Sequence, residues 1–309
     1  MKDEPLRVRD ARGELHPSSF ILHPSSSLVL RLSALGDVIH TIPAVVALRA
    51  RGEEVTWVVE APYRELVEVV AGVATIPVSL KKWGRAPLAH RPQISVARKS
   101  LRGFDRAVDF QGLVKSAVLA WLSRAPVRIG FDRHAIREKP ALLFTNRHVA
   151  VNTSKHVVEQ NLQLIGADAV PEVDFSPFAA GARDDAAIVL LPGAGKANKQ
   201  WPVERFRELA ARLGDRALAV WGPGEKELAE AIGCRIAPPT NLRELAALLQ
   251  AAALGTPVVG LYGPTSEKRN GPYGQLANCI SRFETTKSME TIGVDEVLSR
   301  IDKLQIRAR

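Results

Sequence analysis

An aspartate, Asp37, follows a short apolar segment and a glycine turn, and it precedes a helical pattern. Residues 28–32 (LVLRL) are mostly apolar, as in a parallel strand covered on both faces. Gly36 permits a sharp turn, and apolar residues then recur at helical spacing from Val38. Open α/β folds build their sites at the carboxyl ends of strands, so the Asp37 carboxylate is a candidate site residue. The alternative is that Asp37 only caps the helix, since Asp is a preferred N-cap residue.

A second candidate site lies in a loop that follows the predicted strand 187–191. Three small residues let the backbone approach a phosphate closely. They are Gly193, Ala194 and Gly195. Lys199 could neutralise the phosphate charge, Lys196 is the nearby alternative, and a solvated loop lysine is the simpler interpretation of either.

Positive charge is concentrated in residues 81–106, which contain eight basic residues and one acidic residue. The whole chain has a net charge of +9 and a sequence pI of about 9.8. Such a surface suits a phosphorylated glycolipid, an acidic membrane or a nucleic acid, although it could also be an ordinary soluble surface. No nucleic-acid motif accompanies the charge, so we expect no nucleic-acid partner. The candidate anion-binding side chains are Lys81, Lys82, Arg85, Arg98, Lys99 and Arg102.

The order of the predicted elements indicates an α/β fold, because strand and helix patterns alternate along the chain. The predicted strands are 28–32, 55–59, 76–80, 107–110, 128–131, 187–191, 217–221 and 257–262. The predicted helices are 63–70, 93–101, 113–122, 203–213, 225–232, 242–254 and 294–304. This pattern predicts two Rossmann-like domains of the GT-B type with the active site in the cleft between them.

The predicted boundaries divide the chain into four segments. Residues 1–27, with the near-repeat HPSS at 16–19 and 23–26, form a disordered or loosely attached extension. Residues 28–168 form the N-terminal domain. A Pro/Ala/Gly-rich linker covers 169–182, and the C-terminal domain covers 183–309.

An ordered set of motifs resembles the lipopolysaccharide heptosyltransferases, glycosyltransferase family 9, and most closely the heptosyltransferase I branch. The resemblance runs from about residue 28 to 274. The matching segments are 33–40 (SALGDVIH), 81–83 (KKW), 109–116 (DFQGLVKS), 137–140 (REKP), 191–195 (LPGAG), 199–202 (KQWP) and 260–265 (GLYGPT).

The resemblance implies an inverting transfer of heptose from ADP-heptose to the Kdo-lipid A inner core. It implies that the N-terminal domain binds the acceptor and that the C-terminal domain binds the nucleotide sugar. Asp37 would be the base, Lys199 would hold the donor phosphates and Arg137 would contact the acceptor. Glu225 would contact the adenosine ribose or, alternatively, cap a helix. Gln111 and Lys115 would face the cleft, Gln111 as an acceptor-binding residue. Asp109 could be structural, and His40 could cap or pack.

One departure from the family concerns residues 242–257, where a predicted helix runs directly into ALGTP. The family has a strand, an Asp-Thr-Gly loop and a helix turn in between, which hold the donor diphosphate. No Asp-Thr-Gly occurs in this chain, so we expect a shortened C-terminal domain. The alternative function is therefore a catalytically impaired or inactive remnant.

The remaining expectations concern location and cofactors. Cys234 and Cys279 form no disulfide or metal motif, and no apolar run reaches the roughly 18 residues of a membrane span. We expect a cytoplasmic protein, peripherally associated with the inner membrane. We expect no cofactor and no metal, because there is no Asp-x-Asp motif and lysine and helix N-termini can hold a diphosphate.

Overall fold

The computed structural model describes residues 25–69, 73–173, 187–222, 224–238 and 256–307. The predicted extension therefore lies almost entirely outside the described residues, as do the predicted helix 242–254 and most of the predicted linker. Within the described part of the chain, no helix is both long and apolar enough to cross a membrane.

The N-terminal half contains a six-stranded parallel sheet in the order β3-β2-β1-β4-β5-β6. Its strands are β1 (Ser26–Leu30), β2 (Glu54–Glu60), β3 (Ala74–Val78), β4 (Arg106–Asp109), β5 (Val127–Phe131) and β6 (Arg147–Val149). The predicted strands are found within one or two residues. The structure begins β1 at Ser26, so Ser26 and Ser27 belong to the sheet and not to the extension.

Helices cover both faces of this sheet. They are α1 (Leu35–Ile39), α2 (Ile42–Ala50), α3 (Arg64–Val69), α4 (Leu80–Arg85), α5 (Arg91–Ser100), α6 (Val114–Leu122) and α7 (Val157–Leu164). Alternation along β1 explains its apolar sequence: Val29 packs with the α2 and α7 side, whereas Leu28 and Leu30 pack with the α5 and α6 side. Sequence analysis did not predict α4, β6 or α7.

The C-terminal half has a three-stranded parallel sheet, β7-β8-β9, and a separate parallel pair, β10-β11, among the described residues. The strands are β7 (Ile188–Leu190), β8 (Ala217–Ala219), β9 (Arg235–Ile236), β10 (Leu261–Tyr262) and β11 (Ile280–Ser281). The helices are α8 (Val203–Leu213), α9 (Lys226–Glu230), α10 (Glu267–Asn270) and α11 (Val294–Arg307). Of the predicted strand 257–262, only the last two residues form ladder hydrogen bonds.

A second hydrophobic core supports this half. Trp201, Phe206 and Ile292 are buried in it, and the Trp201 ring meets Phe206 edge-on at 4.9 Å between centroids. The Trp201 indole N–H donates to the Ile292 carbonyl at 3.0 Å. This contact ties the start of α8 to the segment before α11 and so fixes the loop that ends at Lys199.

Candidate active site

Asp37 lies beyond the end of β1, beside the end of β4, where the order of the strands reverses. In open α/β sheets this switch point opens the crevice in which ligands bind. Asp37 is inside the first turn of α1, whose N-cap is Ala34, and no side chain caps that helix end. The capping interpretation of Asp37 is therefore wrong, because the carboxylate is used elsewhere.

Two arginines hold the Asp37 carboxylate. Arg31 at the end of β1 places Nη2 2.7 Å from Oδ1, and Arg137, which follows β5, places Nη2 3.4 Å from Oδ2. Arg31 is almost fully buried, whereas the Asp37 side chain is 24% exposed. The carboxylate is thus held by the buried Arg31 and is still open to the crevice. A group that accepts a proton from a bound hydroxyl needs this access.

Arg31 is the functional residue that sequence reasoning missed. It also donates to the Phe110 carbonyl, while its own carbonyl accepts the Trp57 indole N–H at 3.0 Å. Burial lowers the pKa of Arg31, and the nearby Asp37 opposes part of that effect. The available signal was a charged residue inside the apolar run 28–32, since a fully buried arginine is rare unless it is paired.

The loop after β4 is built around Asp109. Its Oδ1 accepts from the backbone N–H groups of Gln111 at 2.9 Å and Gly112 at 3.2 Å, and its Oδ2 accepts from the Ser116 hydroxyl at 3.0 Å. Burial raises the pKa of Asp109 to about 6, against the opposing effect of these hydrogen bonds. Asp109 is therefore structural, the alternative that the sequence left open.

Gln111, predicted to bind the acceptor, is buried in this arrangement. Its Oε1 accepts from the Leu32 N–H at 2.8 Å, which joins the loop after β4 to the chain leading to Asp37. The structure assigns Gln111 a supporting position below the crevice, whereas the neighbouring Lys115 on α6 is exposed.

The predicted donor residues come together at the ends of β7 and β8, which are adjacent parallel strands. The Glu225 carboxylate accepts from the Gly222 N–H at 3.0 Å and lies directly against Gly193. A Cβ on Gly193 would sit 2.1 Å from Glu225 Oε1. Glu225 occupies the N-cap position of α9 but makes no capping bond there, so its carboxylate faces the glycine loop.

Lys199 ends the same loop, in a short 3₁₀ turn over Ala197–Lys199. Its backbone N–H donates to the Lys196 carbonyl at 3.0 Å. Lys199 is half-buried, whereas Lys196 is exposed. The partly enclosed position makes Lys199 the better candidate of the two for holding a phosphate.

The predicted acceptor residues fall into two separate groups. Lys81, Lys82 and Arg85 are exposed on α4, which follows β3 at the same sheet edge as Asp37. Arg98 and Arg102 lie at the end of α5, immediately before β4, and therefore at the opposite edge. The structure does not bring these two arginines to Asp37.

The two halves meet close to Asp37 through His156. His156 Nδ1 accepts from the Val158 N–H at 3.2 Å, so the proton is on Nε2, which donates to the Gly271 carbonyl at 3.0 Å. The His156 ring also contacts Tyr273 and His40, with centroids 4.9 and 5.2 Å apart.

His40 lies one turn beyond Asp37 and packs against this interdomain contact. Burial lowers the pKa of His40 to about 4, and its buried Nδ1 has no hydrogen-bond partner among the described residues. His40 is the C-cap residue of α1, where its backbone N–H donates to the Gly36 carbonyl at 2.9 Å, and its ring packs against the interdomain contact. Both roles that the sequence left open are therefore found.

Metal-binding side chains do not cluster in the described ranges: no three or more His, Cys, Asp or Glu residues there are placed to share an ion. The charged groups that could hold a diphosphate are instead Lys199 and the amides of the loop after β7.

Comparison with known proteins gives a consistent result. The family model described as glycosyltransferase family 9 (heptosyltransferase) matches residues 95–294. Lipopolysaccharide heptosyltransferase 1 of Escherichia coli K12 is 30% identical over 318 residues, which cover 89% of this chain and 99% of the relative. The corresponding Pseudomonas aeruginosa protein is 31% identical over 289 residues, covering 80% of this chain and 81% of the relative.

Solved structures agree with the sequence relatives. E. coli heptosyltransferase WaaC with ADP has a TM-score of 0.74 at 28% identity, covering 90% of this chain and 99% of that one. E. coli ADP-heptose lps heptosyltransferase II has a TM-score of 0.68 at 20% identity, covering 92% and 99%, and so supports the fold. The predicted α/β fold of the GT-B type is confirmed by these neighbours.

The predicted shortening of the C-terminal domain stays a prediction. The match to the E. coli protein spans 318 residues and covers 99% of that relative, but only 89% of this 309-residue chain takes part in it. This chain therefore covers almost the whole relative with fewer residues of its own. That difference has the expected direction. The place predicted for the loss, residues 242–257, lies almost wholly outside the described residues.

Proposed function

Since this chain belongs to glycosyltransferase family 9, the heptosyltransferases, we propose that it moves heptose from ADP-heptose to the Kdo-lipid A inner core of lipopolysaccharide. The relatives support this donor, because WaaC was solved with ADP and with ADP-2-deoxy-2-fluoro heptose. The names of the curated relatives support lipopolysaccharide as the acceptor.

The observation that carries the proposal is the placement of Asp37. Its carboxylate is fixed by Arg31 and Arg137 at the switch point of the N-terminal sheet, yet it remains partly open to the crevice. In the proposed reaction the acceptor hydroxyl oxygen attacks the anomeric carbon while its proton passes to Asp37. The bond from that carbon to the diphosphate oxygen breaks, ADP leaves with the electron pair, and the configuration inverts.

The donor site supports the departure of ADP. Lys199 and the amides around Gly193, Ala194 and Gly195 offer positive charge where negative charge develops on the diphosphate. Glu225 lies against the same loop, in reach of the sugar of a nucleotide bound there. Because lysine and backbone amides can hold this charge, we expect transfer to persist in EDTA.

The acceptor site is proposed to include Arg137 and the exposed cations of α4. Arg137 is 38% exposed, so an acceptor anion can pair with it beside Asp37. Lys81, Lys82 and Arg85 extend positive charge along the same edge. We place the protein in the cytoplasm, at the inner face of the inner membrane, because its proposed acceptor is a lipid and its basic surface suits an acidic bilayer.

The test separates donor binding from chemistry. ADP binding is measured by calorimetry, and transfer is measured with ADP-heptose and a Kdo-lipid A acceptor. Lys199→Ala should weaken ADP binding, with Lys196→Ala as the matched control that should not. Asp37→Asn should keep ADP binding and lose about 10²- to 10⁴-fold in transfer rate, the usual contribution of a general base.

Two outcomes would contradict the proposal. If the folded wild-type protein binds no ADP, the chain is the inactive remnant that its missing Asp-Thr-Gly loop raised as an alternative. If Asp37→Asn transfers heptose at the wild-type rate, Asp37 is not the base, however well it is positioned.

A further inference from the structure

Four large apolar side chains stand out because each is more than half exposed. No other large apolar side chain among the described residues exceeds 42% exposure. The four are Leu88, Val96, Trp121 and Leu143. All belong to the N-terminal half, on α5, α6 or the segments next to them.

These four positions share one side of the N-terminal sheet. Ala97 of α5 and Leu119 of α6 pack into the same core cluster against β1 and β3, so both helices cover the same sheet face. The segment that contains Leu143 packs on α6, where the Phe144 ring meets Trp121 edge-on at 6.3 Å. We call the outer surface of this layer, from α4 through α6 to residue 144, the basic helical face.

A cavity of about 320 Å³ opens in the basic helical face. Its wall contains no carboxylate, and four of its six lining residues are arginines. The lining residues are Arg98, Arg102, Trp121, Leu122, Arg124 and Arg128. Four arginines around a cavity whose lining has no carboxylate suit a phosphate, since guanidinium groups bind phosphate through paired hydrogen bonds.

The cavity is partly pre-formed. Arg128 donates to the carbonyls of Phe144 at 3.0 Å and Ala125 at 2.8 Å, which fixes its guanidinium. Arg124 directly follows Ser123, the C-cap of α6, and has a left-handed backbone with φ of 58°, which is a common way for a helix to end.

The combination of charge and apolar exposure points to a membrane. Residues 81–106 carry eight basic residues against one acidic residue, which complements an anionic bilayer. An exposed tryptophan beside basic residues is typical of the lipid headgroup region, where the ring is half in an apolar medium. A nucleic-acid surface would be expected to interleave aromatic stacking positions, and Trp121 is the only aromatic residue that lines the cavity.

We propose that the basic helical face docks on an anionic membrane, that the arginine cavity binds a lipid phosphate, and that Trp121 enters the headgroup layer. This inference rests on the proposed function only in taking the acceptor to be a lipid. It assigns Arg98 and Arg102 to membrane docking, at the sheet edge opposite Asp37. In this orientation the membrane lies along the basic helical face, and the crevice that contains Asp37 opens at the α4 end of that face.

The primary experiment is flotation of the full-length protein with neutral phosphatidylcholine vesicles and with vesicles containing 30 mol% phosphatidylglycerol. The wild type should bind only the anionic vesicles, and less at higher salt. Arg124→Gly removes one cavity charge and suits the left-handed backbone, so the variant should fold normally. It should bind about fivefold more weakly, from about 1 kcal/mol per basic residue at such a surface.

Lys226→Ala is the matched control. It removes one exposed charge in the C-terminal half, where Lys226 makes only a surface ion pair with Glu230, and it should bind vesicles like the wild type. A second readout uses fluorescence. Anionic vesicles should shift the emission of the wild type to shorter wavelength, and Trp121→Phe should lose most of that shift because the other described tryptophans are less exposed.

Separate arms distinguish other occupants. Inorganic phosphate that binds the wild type but not Arg124→Gly, without any binding to vesicles, would overturn the membrane proposal in favour of a soluble anion. Binding of random oligonucleotides in place of vesicles would overturn it in favour of nucleic acid. Equal vesicle binding by Arg124→Gly and the wild type would also refute it.

The docking proposal and the proposed function can fail independently. Transfer to a water-soluble, deacylated acceptor should be the same for Arg124→Gly and the wild type, because that acceptor needs no membrane. If the wild type binds vesicles but transfers nothing, only the function fails. If it transfers to the soluble acceptor but binds no vesicles, only the docking fails.

Discussion

Replacing the buried Arg31 with methionine should remove most of the transfer activity and change stability only slightly. Arg31→Met leaves the Phe110 carbonyl without its donor, at a cost of about 1–3 kcal/mol for a buried polar group. Asp37 also loses one ion pair, worth about 1 kcal/mol since its carboxylate keeps Arg137 and some contact with water. Both changes lower the free energy of unfolding.

An opposing contribution comes from the buried charge itself. The lowered pKa of Arg31 shows that the folded environment disfavours its cation relative to water, even with Asp37 adjacent. Removing this cation relieves its desolvation cost, which is on the order of several kcal/mol for a buried ion. The contributions nearly cancel, so we expect the unfolding free energy of Arg31→Met to lie within about 2 kcal/mol of wild type.

The catalytic effect should be much larger. Without Arg31, only Arg137 at 3.4 Å would orient the Asp37 carboxylate. A displacement of about 1 Å in a reacting group can reduce the rate about 10²-fold, so kcat should fall by that factor or more. ADP affinity should not change, because Arg31 acts through Asp37 in the N-terminal half.

The assays are denaturant unfolding followed by tryptophan fluorescence, steady-state transfer kinetics and calorimetry with ADP. Arg106→Met is the matched control, because Arg106 pairs with the buried Glu53 at the opposite edge of the sheet. The unfolding free energy of Arg106→Met should fall by about 3 kcal/mol, since Glu53 stays buried without its cation. Its kcat should stay at the wild-type value. The reasoning is refuted if Arg31→Met retains wild-type kcat or if it loses more than about 4 kcal/mol.

Three further predictions use the same assays. Gly193→Ala should displace the Glu225 carboxylate and weaken ADP binding about fivefold, the equivalent of one hydrogen bond, with little change in thermal midpoint; unchanged affinity would contradict the donor assignment. The raised pKa of Asp109, about 6, means that its contribution to stability is lost as pH rises from about 4 to 6. As pH rises over that range, the unfolding free energy of Asp109→Asn should therefore increase by up to about 3 kcal/mol relative to that of wild type. His40, with a pKa lowered to about 4, has the opposite sign: its contribution is lost as pH falls from 6.5 to 4. On acidification over that range, the unfolding free energy of His40→Leu should therefore fall by up to about 3 kcal/mol less than that of wild type. For either variant, a pH profile of the unfolding free energy that runs parallel to that of wild type would refute the assignment.

Much of the fold could be predicted because its signals are local. The apolar run before Asp37, the glycine turn and the helical spacing after Val38 are properties of neighbouring residues, and β1 and α1 follow directly from them. Strand β5 and helix α8 were predicted for the same reason. In contrast, β9 and β11 have only two residues each, too few for a periodic pattern, and they exist because a neighbouring strand pairs with them.

The candidate site was predictable only in part. Asp37 and Lys199 were identified by a motif and a spacing, which are visible in the chain. Arg31 was not, because its role depends on the Phe110 carbonyl, 79 residues away, and on Asp37 across a turn. Gln111 was assigned to the crevice by its position after a strand, although its amide oxygen is used by the Leu32 N–H.

The sequence by itself determined the family, the alternation of strands and helices, and the residue types that can do the chemistry, since each is written in adjacent residues or in ordered motifs. Only the tertiary structure decided which charges meet. It paired Arg137 with Asp37 across 100 residues, placed Glu225 against Gly193, and moved Arg98 and Arg102 to the sheet edge opposite the base. The physical reason is that electrostatic and hydrogen-bond energies depend on distances of a few ångström, which chain packing sets and sequence separation does not.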